Sequence, residues 1–169
     1  AYWGFTLTDG ALRMLVLLHF AQQGYSAVRL AMLFLFYEFF GIVTNLFGGW
    51  LASRVGLRVT LLAGLGLQVV ALGMLAVLNP AWTAGLALVY VMAAQALSGI
   101  AKDLTKMSSK SAIKVLVADG EAARRTLFRW VAILTGSKNA LKGVGFFLGG
   151  ILLSLVGFTG ALWIMAAGL

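Results

Sequence analysis

Residues 59–78 read VTLLAGLGLQVVALGMLAVL, twenty residues without a charged side chain. About 20 apolar residues in a helix span the hydrocarbon core of a bilayer. Arg58 precedes the stretch, and Asn79 with Pro80 follows it. Proline is tolerated there because it lies in a turn beyond the helix. The stretch therefore predicts a transmembrane helix.

The composition of the whole chain agrees with this prediction. Of its 169 residues, 62% are hydrophobic and 11% are charged, whereas soluble proteins have about 45–50% and about 25%. This argues against a soluble globule and against disorder, which requires low hydrophobicity. The chain has no cysteine and one histidine, which excludes a disulfide framework and a thiolate metal site. We find no nucleophile–base pair, and we expect no enzyme activity, no metal and no cofactor.

Several other stretches are apolar over a similar length. Spans are predicted at 2–22, 31–51, 59–78, 84–101 and 130–156, with a truncated sixth at 161–169. The last stretch has too few residues to cross a membrane as a helix. We therefore expect an all-α integral membrane protein, and a fragment that ends inside its sixth helix.

The basic residues fall almost entirely on one side of these spans. One set of connections holds only Arg29, and the other set holds Arg54, Arg58, Lys102, Lys106, Lys110, Lys114, Arg124, Arg125 and Arg129. By the positive-inside rule, the basic side is cytoplasmic, including a long loop at 102–129. This distribution explains most of the net charge of +8. We therefore expect a lipid bilayer as partner and no nucleic acid.

Five ionisable residues lie inside the predicted spans: Asp9, Arg13, Glu38, Lys138 and Lys142. Each costs about 2.5–3.5 kcal/mol or more at the centre of a membrane helix. Such residues usually face a bundle interior or a wet cavity, where they mark a substrate or proton route. We expect that placement here.

The first two of these residues allow two interpretations. Asp9 and Arg13 are four residues apart, so they share a helix face and can form an ion pair. Alternatively, Asp9 holds Arg13 in place for an anionic substrate, because the planar guanidinium binds oxyanions bidentately.

The two lysines of the fifth span have the same sign and the same spacing. Lys138 and Lys142 therefore repel each other, and their neutralising partner is Glu38, a group outside this sequence, or a bound anion. Asn139 adds a hydrogen-bond donor for such an anion. Glu38 itself is interpreted either as a salt-bridge partner or as a proton-coupling carboxyl.

Lysines also follow the fourth span at intervals of four residues. Lys102 and Lys106 come first in this series. One interpretation is a surface helix that lies against anionic lipid headgroups. The other is that these two lysines attract an anionic solute into a cytoplasmic mouth.

One connection resembles a known motif. Residues 49–58, GWLASRVGLR, resemble the major facilitator motif GxxxDRxGRR. Gly49, Arg54, Gly56 and Arg58 match, whereas Ser53 and Leu57 depart from it. The resemblance implies a major facilitator-type N-terminal six-helix half, with this connection as its gating loop.

Four longer segments resemble one family of that superfamily. They are YWGFTLTDGALRML (2–15), FLFYEFFGIVTNLFGGWL (34–51), AAQALSGIAKDLTKMSSKSAIK (93–114) and LTGSKNALKGVGFFLGG (134–150). These segments are similar to the organoarsenical-efflux permeases of bacterial arsenic-resistance operons. The resemblance implies an inner-membrane exporter of 1-arseno-3-phosphoglycerate, which glyceraldehyde-3-phosphate dehydrogenase makes when arsenate replaces phosphate.

The resemblance also implies arsenate resistance and, from the glycines of the fifth span, antiport driven by protons. It carries no binding residues, so the candidate site rests on the charged residues alone. Two alternatives stay open: a transporter of another organic phosphate or a drug, and a membrane interaction protein without transport activity.

The distribution of basic residues generates a topology prediction. A reporter inserted within 102–129 should report the cytoplasm, and a reporter near Pro80 the outside, because nine of ten connecting basic residues lie on one side. Paired phosphatase and fluorescent-protein fusions measure this. A phosphatase active within 102–129 would reverse the orientation.

Overall fold

The computed structural model describes the backbone of residues 2–116 and 121–169 and the side chains of residues 2–112 and 125–169. Within these ranges the chain forms six α-helices and no strand. The helices are α1 (Tyr2–Gln22), α2 (Ala27–Leu33), α3 (Leu35–Val55), α4 (Leu57–Ala76), α5 (Ala84–Leu116) and α6 (Glu121–Ala167). The prediction of an all-helical protein is confirmed.

In the described part of the chain, four helical segments are long and apolar enough to cross a membrane. They are Ala27–Val55, Leu57–Ala76, Ala84–Ala112 and Arg125–Ala167. Large apolar side chains cover their outer surfaces; on α3, for example, Phe39, Ile42 and Leu46 are all more than half exposed. Lipid tails solvate such a surface and water does not. The chain therefore has the character of a multi-pass membrane protein.

Helix α1 is not one of these four segments. Asp9 and Arg13 lower its mean hydropathy, although its length matches the predicted first span. It packs against α2, α5 and α6, and Leu12, Leu15 and Val16 are almost completely buried there. Protein therefore surrounds much of α1, and the surrounding helices supply partners for its charges.

The fourth predicted span, at 84–101, ends before the helix that the structure shows. Helix α5 continues beyond Ala101 to Leu116, so the first half of the expected loop at 102–129 is helical. The reason is that Leu104, Thr105 and Ser108 continue the buried face of the span. The middle of that expected loop, at 117–120, lies outside the described residues.

Two other boundaries also differ from the prediction. The second span begins at Ala27, and Phe34 interrupts it with φ −100° and ψ −3°. The fifth and sixth predicted spans form one helical element, α6, which is broken at Gly157 with φ 72° and ψ 179°. Only glycine adopts this backbone conformation readily, so the chain changes direction there without a loop.

Close backbone contacts bring pairs of helices together. A Cβ atom on Gly149 of α6 would lie 3.0 Å from the carbonyl carbon of Ala11 in α1. A Cβ atom on Gly99 of α5 would lie 2.9 Å from the carbonyl carbon of Tyr37 in α3. Small residues at such crossings permit the close packing typical of membrane helices.

Hydrogen bonds between α4 and α5 fix the rotation of α5. Ser108 donates to Thr60 across 2.7 Å, and Ser98 donates to Gln68 across 2.8 Å. The face of α5 that carries these serines therefore points towards α4. In this orientation the side chains of Lys102 and Asp103 lie beside Gly41 of α3.

The interior is divided along the length of α1. The C-terminal half of α1 packs into an apolar core with α2, α4, α5 and the last part of α6. That core contains Leu12, Leu15, Val16, Phe20, Leu33, Leu72, Leu75, Val91, Leu162 and Met165. Asp9 lies in the N-terminal half and Arg13 near the middle of the helix. The charged side chains thus meet in the other half of the bundle.

The close contact at Gly149 generates a stability prediction. Gly149→Ala should lower the stability of the protein in detergent by about 1–3 kcal/mol, because the new methyl group meets rigid backbone. Gly143→Ala is the matched control in the same helix, since a Cβ atom there meets nothing within 4 Å. It should be neutral or stabilising by about 1 kcal/mol.

Thermal unfolding of the two variants measures the difference. Equal melting temperatures would contradict the α1–α6 contact.

Candidate anion site

A polar cavity of about 310 Å³ opens between α1, α3, α5 and α6. Its lining consists of Arg13, Glu38, Gly41, Ile42, Asn45, Lys102, Asp103, Lys106, Lys138 and Lys142. Five basic side chains face two acidic ones, which leaves a formal excess of three positive charges. The cavity brings together, from three different helices, all five basic residues that the sequence suggested for binding an anion.

The spacing of four residues allowed Arg13 to pair with Asp9, but the structure shows no such ion pair. The Nη2 atom of Arg13 lies 2.5 Å from Oε1 of Glu38 on α3. Its guanidinium carbon lies 4.1 Å from the centre of the Tyr37 ring. The Nε atom of Arg13 is buried and has no hydrogen-bond partner among the described residues.

Tyr37 contacts both charged residues of α1. This side chain is completely buried, and its hydroxyl group donates a hydrogen bond to Oδ1 of Asp9. The face of the same ring contacts Arg13. Asp9 and Arg13 therefore share a partner on α3, and neither depends on the other for its contacts.

Asp9 pairs instead with a lysine of the fifth predicted span. The Nζ atom of Lys142 lies 3.8 Å from Oδ2 of Asp9. Sequence reasoning offered Glu38, a group outside the sequence or an anion as the partner of this lysine, and it missed Asp9. The pairing depends on the contact between α1 and α6, where Gly10 leaves space for the backbone of Lys142.

Lys138 is different from Lys142. It lines the cavity, but no described carboxylate lies within ion-pair distance of it. Asn139, which was expected to assist it, is exposed and does not line the cavity. Asn139 lies about 100° around α6 from Lys138, on an exposed part of the helix. Asn45 of α3 supplies the amide instead.

Lys102 and Lys106 lie inside the bundle and not on a peripheral surface helix. Lys102 Nζ lies 3.6 Å from Glu38 Oε2 and 3.7 Å from Asp103 Oδ2. It also lies 4.2 Å from the centre of the Tyr37 ring. Lys106 Nζ lies 3.1 Å from Asp103 Oδ1. The continuation of α5 past Ala101 is what brings both lysines into the cavity.

Asp103 is the functional candidate that sequence reasoning missed. It was assigned to a loop, whereas its side chain is only 5% exposed and holds two lysines. One signal was available: Asp103 sits between Lys102 and Lys106 in a segment with helical spacing. An acid three residues before a lysine on a helix, as Asp103 is before Lys106, is positioned to pair with it.

The residues of the expected gating loop lie outside this cavity. Gly56 joins α3 to α4 with φ 93°, a conformation that favours glycine. Arg54 lies over the ring of Trp50 at 5.3 Å, and Arg58 is exposed. Their role in gating stays a prediction.

Metal binding has no support in the geometry of the side chains described. No three histidine, aspartate or glutamate residues among them are grouped closely enough to hold a metal ion. The chemistry available in the cavity is therefore the binding of negative charge by ammonium and guanidinium groups.

Comparison with known proteins identifies no relative of this chain. No protein-family model matches the chain, and no curated protein matches its sequence. The functional proposal therefore rests on the chemistry of the cavity and on the sequence motifs.

The pairing of Asp9 with Lys142 generates a double-mutant prediction. Asp9→Asn and Lys142→Gln should together cost less stability than the sum of the two single changes, because each single change strands a buried charge. We expect an interaction energy of about 0.5–3 kcal/mol between residues in direct contact. Chemical unfolding of the four proteins in mixed micelles measures it.

Lys138→Gln combined with Asp9→Asn is the control, because Lys138 lies one turn away on the same helix without an ion pair to Asp9. A larger interaction energy in this control than in the test pair would contradict the assignment.

Proposed function

We propose that this protein is a membrane transporter whose cavity binds a small organic oxyanion. The observation that carries the proposal is the excess of positive charge in a cavity between apolar helices. The lining residues carry an excess of three positive charges, and the pairing of Lys142 with Asp9 reduces it to two. Uncompensated charge is costly at membrane depth. A divalent anion compensates the excess that remains after Asp9 has paired with Lys142.

The size of the cavity favours a small ligand. Its volume of about 310 Å³ is at the lower end of the roughly 300–1,000 Å³ that is usual for ligand pockets. The lining is mostly polar, with Gly41 and Ile42 as its uncharged apolar members. A compact phosphorylated acid fits this lining better than an extended apolar drug.

Arg13 is the residue that we assign to oxyanion recognition. One of its terminal nitrogens is paired with Glu38, while its buried Nε has no partner. A guanidinium group can bind two oxygens in one plane. Lys138, which has no described ion-pair partner, is the second candidate for direct contact with the anion. Lys142, Lys102 and Lys106 add positive potential.

The resemblance of the sequence motifs suggests which oxyanion this is. We propose the export of 1-arseno-3-phosphoglycerate across a bacterial inner membrane, which would confer arsenate resistance and connect the transporter with glyceraldehyde-3-phosphate dehydrogenase. The phosphoryl and arsenoyl groups at the two ends of this molecule can each occupy one cationic region of the cavity.

The packing of the helices supports a transporter over a purely structural membrane protein. In major facilitator-type transporters, substrate sites lie near the bilayer midplane between helices that rock as groups. Here the charged residues lie away from the ends of α1 and α5, and glycine contacts join α1 to α6 and α3 to α5. We propose Asp9 and Glu38 as the carboxyl groups for proton coupling.

A second candidate substrate is an anion with an apolar substituent. An apolar cavity of about 240 Å³ adjoins Arg13 and is lined by Met14, Leu17, Phe34 and Phe146. An aromatic or aliphatic group could lie there while its acid group binds Arg13. Competition between 3-phosphoglycerate and aromatic phosphates for the full-length protein separates the two candidates.

The proposed site predicts the effect of removing one lysine. Lys138→Gln should weaken the binding of 3-phosphoglycerate to the full-length protein about tenfold, the loss expected for one hydrogen bond to a charged group. It should also lower arsenate resistance in cells while leaving membrane expression intact. Isothermal titration and growth on arsenate measure the two effects.

Lys110→Gln is the matched control, because this lysine of α5 lies outside the cavity. It should bind the anion as the unmodified protein does. If the Lys138→Gln variant bound 3-phosphoglycerate as tightly as the unmodified protein, Lys138 would not contact the anion. Absence of binding by the unmodified protein would contradict the proposed function.

A further inference from the structure

We propose that Glu38 occupies the anion site when the cavity is empty, and that an arriving anion displaces its carboxylate. The inference rests on the proposed function, because it assigns an internal competitor to that site. Glu38 contacts two of the five cavity cations: its Oε1 lies 2.5 Å from Arg13 Nη2, and its Oε2 lies 3.6 Å from Lys102 Nζ. An oxyanion that bound these cations would meet the same two groups.

The other two acidic side chains near the cavity are held differently. Asp9 and Asp103 are each about 5% exposed. Asp9 accepts a hydrogen bond from Tyr37 and pairs with Lys142. Asp103 pairs with two lysines on its own helix. Both carboxylates are enclosed by their partners, so neither can leave its position without rearrangement of the side chains around it.

Glu38 can leave its position at a much lower cost. Its side chain is 56% exposed, so its carboxylate can be solvated within the cavity once the ion pairs break. Water screens and solvates an exposed carboxylate, so Glu38 loses less on leaving its partners than an enclosed carboxylate would. Among the described acids near the cavity, Glu38 is therefore the one that is exposed enough for its carboxylate to leave its partners.

Tyr37 keeps the two cations in place after Glu38 has left. Arg13 lies 4.1 Å and Lys102 lies 4.2 Å from the centre of its ring. Cation–π contacts of this kind are attractive and do not involve Glu38. The ring is completely buried and cannot move freely. The incoming anion thus meets two positioned cations.

Competition with an internal carboxylate also sets a threshold for the ligand. A monovalent carboxylate offers Arg13 and Lys102 no more charge than Glu38 does, and it also loses translational freedom on binding. A phosphate or arsenate group carries more charge and more acceptor oxygens. Glu38 therefore acts as a specificity residue that excludes monovalent organic acids and admits divalent oxyanions.

The test compares the unmodified full-length protein with its Glu38→Gln variant in lipid nanodiscs at low salt. The probes are 3-phosphoglycerate and glycerate, which differ by the phosphoryl group, and isothermal titration measures their affinities. We expect Glu38→Gln to bind 3-phosphoglycerate at least about threefold more tightly, the change that corresponds to removing a partly exposed ion pair. We also expect the selectivity for 3-phosphoglycerate over glycerate to fall.

Glu38→Asp separates displacement from a general change in charge. Aspartate keeps the negative charge but is one methylene shorter, so it cannot maintain both contacts at the same distances. Displacement predicts tighter binding than in the unmodified protein, whereas background electrostatics predicts no change. Size-exclusion profiles and melting temperatures of the same samples establish that each variant is folded.

The outcomes distinguish the two proposals. Equal or weaker binding by both Glu38 variants, with the unmodified protein binding 3-phosphoglycerate, would overturn the displacement inference and leave the anion site standing. Absence of binding by the unmodified protein would overturn the anion site itself and the proposed function with it.

Discussion

Charge inside an apolar helical bundle is costly without a partner, and most of the charged side chains in the described interior find a partner on a neighbouring helix or within their own helix. Tyr37 has a central place in this interior, because one buried ring contacts Arg13 and Lys102 and also donates a hydrogen bond to Asp9. These three charges belong to α1 and α5, while the ring belongs to α3. A single aromatic side chain therefore couples three helices through their charged residues and not through apolar contact alone.

The glycines make this arrangement possible. Gly99 lets α5 approach the backbone of Tyr37, and Gly41 leaves space for Asp103 and Lys102. On the other side of the bundle, Gly10 and its partners in α6 bring Lys142 to Asp9. Side chains of modest length can then pair across helices, because the backbones are already close. The same residues that pack the helices thus also determine which charges meet.

Charge and apolar packing occupy different halves of the bundle, and this division agrees with the proposed function. The apolar core around Leu15 and Phe20 resists rearrangement because close-packed side chains have few alternatives. The charged half is held by ion pairs, and among them those of the exposed Glu38 can exchange one partner for another. An anion that enters there can alter the contacts of α3 and α5 without disturbing the packed half.

The amino-acid sequence by itself determined the all-helical class, the membrane character and the identity of the ionisable residues. Composition and the length of apolar stretches depend only on residues that are close together in the sequence. They can therefore be determined without knowledge of the tertiary structure. The positions of Asp9, Arg13, Glu38, Lys138 and Lys142 were found in this way. The basic side of the spans also follows from simple counting.

Only the tertiary structure decided which of these charges are partners. Spacing along a helix allowed a pair between Asp9 and Arg13, but it cannot reveal that Tyr37 from α3 contacts both of them. It placed Asn139 in the site, although Asn45 lines the cavity. It also ended the fourth span at Ala101, which hid Asp103. Each of these errors has the same physical cause: the energy of a buried charge depends on groups distant in sequence, and helix packing alone brings those groups within reach.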